Sequence, residues 1–145
     1  MRKGKFQYGK TGTGKTTMMS RDFADYVVPE RWAKRLLDAV DLEDIALDGG
    51  SRAVRELAGK FTEIFLDDIG DESLTVTHFG TVFSPVKEFI KARYRAQTES
   101  PEMCCTHFTS NLSPALIGER YGAYILSRLI EMCDFVEVDG PDLRK

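Results

Sequence analysis

Apolar positions along this chain fall into short clusters parted by turn residues, and the spacing inside the clusters alternates between that of a strand and that of a helix. Residues 5–8 read as a short strand stopped by Gly9, and residues 15–23 as a helix opening at a glycine-rich turn. A brief β-prone run over 24–28 stands where a second strand belongs. Pro29-Glu30 then opens a helix with Trp32, Leu36, Leu37 and Val40 on one face. Residues 47–51 read as a loop whose Ser51 caps a helix to about Lys60. The most apolar strand, Ile64-Phe65-Leu66, runs into Asp67 and Asp68. Ser84-Pro85 starts a helix with Val86, Phe89, Ile90 and Tyr94 as its buried stripe, ending near Gln97. A strand over 103–108 stops at Thr109-Ser110-Asn111, and Ser113-Pro114 repeats the helix start. A helical stretch through Leu126-Ser127-Arg128-Leu129 leads to a last strand over 135–138. Strands alternating with helices predict an α/β fold, a parallel five-stranded sheet flanked by helices.

Composition narrows this picture. The 145 residues, 42% hydrophobic and 30% charged with nine Phe, suffice for one core and are too few for two. A net charge of -3 argues against a protein that grips nucleic acid over a whole face. Cys104, Cys105 and Cys133 lack metal-ligand spacing and read as reduced core residues of a cytoplasmic protein. No apolar run approaches the ~20 residues of a membrane span, and Met1-Arg-Lys-Gly-Lys lacks the apolar stretch of a signal peptide.

Gly9-Lys10-Thr11-Gly12-Thr13-Gly14-Lys15-Thr16 satisfies G-x-x-x-x-G-K-[ST] between an expected strand and an expected helix. Glycines let backbone N–H groups converge on phosphate oxygens, and the helix N-terminus adds a partial positive charge. Lys15 reaches the β- and γ-phosphates, the Thr16 hydroxyl ligates Mg²⁺, and Thr17 completes the nucleotide-binding turn. Because the motif begins at Gly9, the sequence reads as a core cut from a longer protein.

An Asp-Asp pair ending a strand is, by itself, usually a solvated turn or a helix cap. Behind a phosphate loop it sits where an open α/β sheet binds its ligand. Asp67 then holds Mg²⁺ and Asp68 polarises the water that attacks the γ-phosphate. Asp71 and Glu72 read as an exposed acidic turn.

Five short motifs, Asp67-Asp68-Ile69-Gly70-Asp71-Glu72, Ala92-Arg93-Tyr94, Thr109-Ser110-Asn111-Leu112, Tyr121-Gly122 and Ser127-Arg128-Leu129, occur in this order. In this the chain resembles the AAA+ ATPase core of the DnaC/DnaI helicase loaders and the related IstB transposition ATPases. The resemblance implies ATP as the nucleotide and a role in DNA replication. It also implies Asn111 as the sensor that positions the attacking water, and Arg128 as an arginine finger completing a neighbouring subunit's site in a homo-oligomer. A surface ion pair is the plain alternative for Arg128. The implied partners are a replicative DNA helicase and single-stranded DNA, although the family's helicase-binding region precedes the core and is not represented here. The chain departs from the pattern in its compressed second-strand region. It departs again at Tyr124, where many relatives carry an arginine four residues before the finger.

Lys87, Lys91 and Arg95 form a basic stripe at i, i+4 and i+8, either a solvated face or a track for phosphates. Aromatic interleaving for base stacking is not evident from the sequence. A small-molecule kinase would need an arginine-rich lid, and the sequence offers none. A loader and an IstB-type transposition ATPase share one core chemistry and are not separated by these residues.

Overall fold

The computed structural model describes residues 1–10, 14–27 and 33–138. Strand β1 (Gly4–Tyr8) leads to helix α1 (Lys15–Asp25), strand β2 (Lys34–Asp38) to helix α2 (Ala39–Lys60), and β3 (Glu63–Ile69) carries the two aspartates. A hairpin of β4 (Val76–His78) and β5 (Thr81–Phe83) precedes helix α3 (Pro85–Glu99). Strand β6 (Cys105–Ser110), helices α4 (Pro114–Tyr121) and α5 (Ala123–Met132), and strand β7 (Cys133–Glu137) complete the described chain.

Five strands pair in the order β2-β3-β6-β1-β7, all parallel. The expected five-stranded parallel sheet is thus present. Side-chain alternation divides its faces between helices. Phe65 meets Phe23 of α1 edge-on at 5.5 Å, whereas Phe108 of β6 meets Phe89 of α3 at 6.3 Å. Fully buried Phe6, Ile64, Leu66, Phe89, Ile90 and Leu129 belong to the main core.

Two stretches correct the sequence reading. Ala24 and Asp25 close α1, and the second strand is Lys34–Asp38. Leu36 and Leu37 therefore lie in a strand, not on a helix face, and Val40 is exposed on α2. Trp32 and the start of that supposed helix lie outside the described residues. The pair Leu36-Leu37 suits either period, and the deciding signal comes next. Asp38 is the N-cap of α2 in a capping box: its carboxylate accepts from the Asp41 amide at 2.7 Å, and the Asp41 carboxylate accepts from the Asp38 amide at 3.2 Å.

At residues 47–51 the expected loop narrows to a kink at Gly50, where two helical segments join within α2. Ala39, Leu42, Ala46, Gly50, Val54 and Ala58 form one buried stripe through that stretch. Gly50 breaks the helical geometry at φ 75°, and a side chain there would meet His78 of the hairpin at 2.6 Å. Glycine at the kink therefore lets the hairpin dock on α2. The two serine caps behave as expected: Ser84 accepts from the Lys87 amide at 3.2 Å and Ser113 from the Leu116 amide at 3.4 Å.

Tyr94, placed by the sequence in the buried stripe of α3, is only half-buried. The fully buried residue beside it is Arg93, which spends all five donors on protein. Its Nε donates to Thr106 Oγ1 at 2.8 Å. Its Nη1 donates to the Ala58 and Phe61 carbonyls at 2.8 and 2.6 Å, and Nη2 to those of Thr62 and Cys105 at 2.9 and 2.8 Å. A cation at the C-terminus of α2 satisfies carbonyls that the helix leaves open and opposes the negative end of its dipole. One side chain thereby ties α3 to α2, to the α2–β3 turn and to β6.

Candidate active site at the carboxyl ends of the strands

The C-terminal ends of β1, β3 and β6 lie side by side because β6 pairs with both of the others. In a sheet of this kind ligands bind at that edge, where the chain order switches. Gly9 leaves β1 with its amide donating to the Ser110 carbonyl at 3.2 Å, which ties the start of the phosphate loop to the end of β6. Lys10 follows it. Thr11, Gly12 and Thr13 lie outside the described residues.

Gly14 caps α1 from the left-handed region at φ 90°, and no side chain caps the helix in its place. The first turn of α1 contains no acidic residue, so its N-terminal amides retain their pull on an anion. Lys15 is buried, and its ammonium donates to the Gly9 and Lys10 carbonyls at 3.0 and 2.7 Å. Burial lowers its pKa, and the carboxylates of Asp68, Asp67 and Asp71 oppose that shift. Thr16 and Thr17 are exposed on the first turn of α1.

Asp67 is buried and Asp68 half-buried. Thr109 of β6, itself fully buried, organises both: its hydroxyl donates to the Asp67 carboxylate and accepts from the Asp68 amide at 2.8 Å. Asp68 stands in the left-handed region at φ 57°, uncommon for a residue with a side chain. Its carboxyl is pushed up to about 6, by burial first and then by Asp67, Asp71 and Asp38, with Lys15 pulling the other way. Asn111 follows β6 immediately and is half-buried. Its neighbour Ser110 donates to the Ile69 carbonyl at 2.6 Å, so the end of β6 just before Asn111 and the aspartate loop are joined.

Glu72 is a further correction: of the supposed exposed turn, Asp71 is exposed but Glu72 is 4% exposed. Its carboxylate accepts from the Gly70 amide and the Tyr121 hydroxyl, both at 2.7 Å, and pairs with Arg120 at 3.5 Å. The aspartate loop is thereby anchored to α4. This anchoring is not legible in the sequence, because Arg120 and Tyr121 are 48 and 49 residues away.

Arg128 does not join this constellation. Its hydrogen-bond, ion-pair and ring partners are Tyr94 on α3 and Tyr124 and Glu131 on α5. Lys91 and Arg95 of the basic stripe share a cleft of about 330 Å³ with Arg128, Tyr94 and Tyr124.

A second polar cluster tests the expectation that the cysteines bind no metal. Ligand atoms of Glu63, Cys105 and His107 lie within 4.8 Å of one another on β3 and β6. The Lys5 amide donates to His107 Nδ1 at 3.1 Å, which leaves the ring proton of the neutral imidazole on Nε2, and Nε2 donates to Glu63 at 2.7 Å. Arg2 pairs with the same carboxylate at 3.2 Å, and burial pushes the Cys105 thiol up to about 11. In this structure the cluster is held together by the contacts of the Glu63 carboxylate with Arg2 and His107. The cysteines are free.

No protein-family model and no curated protein matches the chain. Solved structures do. It is 19% identical to DnaI, covering 98% of this chain and 73% of that one, with a TM-score of 0.67. Likeness to the DnaC helicase loader is 19% identity, 94% and 78% coverage, and a TM-score of 0.68. For the replication initiator DnaA bound to AMPPCP and single-stranded DNA the values are 16%, 98% and 42%, and 0.69. Among the described residues no helix is long and apolar enough to cross a membrane. The sheet order, the parallel strands and these likenesses together show an α/β fold, a five-stranded parallel sheet flanked by helices, that the chain shares with the DnaI, DnaC and DnaA structures.

Proposed function

We propose that the chain is a Mg²⁺-dependent ATPase that works as a homo-oligomer in DNA replication, in the manner of a helicase loader. The observation that carries this is the meeting of a buried lysine ammonium with two carboxylates at the edge where β1 and β3 end. Such a group of charges suits a metal–triphosphate, whose phosphates take the cation and whose metal takes the acid.

Residues Gly9, Lys10, Thr11, Gly12, Thr13, Gly14, Lys15, Thr16 and Thr17 form the cradle, and Lys15 balances charge on the β- and γ-phosphates. Thr16 and Asp67 would hold Mg²⁺, which supplies charge neutralisation when bound. Thr109 leaves one Asp67 oxygen engaged and so fixes how the carboxylate turns. Asp68 holds the attacking water and accepts its proton, and Asn111 orients the same water. Arg128 acts on the triphosphate of a neighbouring copy, where an always-charged planar group suits the charge spread over the transferring phosphoryl. The likenesses to a helicase loader and to an initiator holding AMPPCP and single-stranded DNA support ATP as the nucleotide, and a helicase and single-stranded DNA as partners.

Asp68→Asn tests the reading through two opposite effects. Hydrolysis should fall to background while ATP binding persists. Stability of the nucleotide- and metal-free chain should rise. The folded state holds the Asp68 proton up to about 6, against 3.8 ordinarily, so this group's contribution is fully present below about pH 4 and lost as pH climbs through 6. Asparagine removes that loss and tolerates φ 57° equally well. Discounted for partial exposure, the gain is about 1 kcal/mol at pH 7, roughly 3 °C in Tm, and it vanishes below pH 4. Unchanged turnover, or a fall in Tm at pH 7, would remove Asp68 from this role.

A further inference from the structure

Helices α3 and α5 converge on Arg128. Its guanidinium carbon lies 4.3 Å from the ring centre of Tyr94 on α3 and 4.7 Å from that of Tyr124, one turn earlier on α5. Nη1 also donates to the Tyr94 hydroxyl at 3.3 Å and pairs with Glu131 at 3.4 Å. The side chain is 27% exposed, so a group that normally ranges freely at a surface is held against two rings beside a cleft.

We propose that Tyr94 and Tyr124 are positioning residues for Arg128, fixing its guanidinium in the place from which it meets the phosphates of the next copy. The inference rests on the reading that Arg128 acts in trans. Two ring faces attract the cation and limit where its plane can lie, and each ring comes from a different helix, so the guanidinium's place is set by the packing of α3 on α5. Lys91 and Arg95 line the same cleft and keep it attractive to an anion, while Glu131 holds one edge of the fork.

The effect is a matter of kcat, because neither tyrosine belongs to the cradle of its own chain. Removing one ring should slow turnover roughly two- to fivefold, and removing both about tenfold. ATP affinity should hold, and Tyr124→Phe should keep most of the rate because it keeps the ring.

The test mixes full-length chains. A chain carrying Asp68→Asn cannot hydrolyse but can lend Arg128, and a chain carrying Arg128→Ala has the converse defect. Mixing the two should restore ATPase activity. Adding Tyr94→Leu and Tyr124→Leu to the chain that lends Arg128 should cut the restored activity about tenfold. The same pair of leucines in the chain lacking Arg128 should cost far less, and phenylalanines in the lending chain should bring the activity back. Equal losses in both placements would make the rings merely structural, and no loss in either would overturn the inference as well. If the parent pair restores nothing, the trans reading itself fails, and the inference falls with it.

Discussion

Replacing Lys15 with alanine should weaken triphosphate binding by roughly 100- to 1,000-fold, the cost of removing one member of a largely buried charge pair, about 3–4 kcal/mol. The reason lies in how the ammonium is kept. Burial works against its charge, three nearby carboxylates offset part of that, and the Gly9 and Lys10 carbonyls aim it along the loop. A cation held in that way has already lost part of its hydration, so a phosphate gains more from it than from a lysine in open water. Calorimetric titration with a non-hydrolysable ATP analogue and Mg²⁺ checks this directly. Binding by Lys15→Ala within threefold of the parent chain would show that the loop is not the nucleotide site.

Replacing Arg93 with methionine should destabilise the chain by about 3–5 kcal/mol, a large share of the ~5–15 kcal/mol that holds a domain together. Methionine fills much of the volume and supplies none of the five hydrogen bonds. Four carbonyls and the Thr106 hydroxyl would each lose a donor, the Thr62 carbonyl keeping the Cys105 amide. Arg93→Lys should recover only part of the loss, because an ammonium offers three donors on a flexible stem instead of five in a planar fork. Urea unfolding, read as a shift in midpoint at constant slope, measures both variants. A loss under about 1 kcal/mol for the methionine variant would mean that packing, not this network, joins α2, α3 and β6.

These expectations show which features the sequence made legible. The phosphate loop, the apolar strand ending in Asp67-Asp68 and the two Ser-Pro helix starts are local signals, in which neighbouring residues carry the whole message. Strand β2 was hidden because Leu36-Leu37 fits two periods and its limit is set by a capping box at Asp38, visible only to a reader looking for Asp-x-x-Asp. The β4–β5 hairpin was passed over because its strands are three residues each. Its turn places Phe79 at φ 48°, where a bulky residue is not expected. Arg93, Glu72 and Thr109 share another difficulty. A charged or polar residue is ordinarily read as surface, and each of these acts through partners distant in sequence that only the packing of helices on the sheet brings near.

Both families of residue matter for the proposed chemistry. The local motifs place Lys15, Asp67 and Asp68 at one edge, while the long-range contacts decide how they are held: Thr109 turns Asp67, Glu72 ties their loop to α4, and α3 with α5 orients Arg128. In the proposed arrangement, with water activation in one copy and charge stabilisation lent by another, a single chain should be silent.

The rate of ATP hydrolysis per mole of chain against protein concentration therefore tests the account most directly, measured with Mg²⁺, with and without single-stranded DNA, and with Asp68→Asn as the blank. A specific rate that climbs with concentration, and further with DNA, is the result predicted for copies that complete one another's sites. A rate that stays flat across the whole range and ignores DNA would contradict it, and would describe a self-contained enzyme instead.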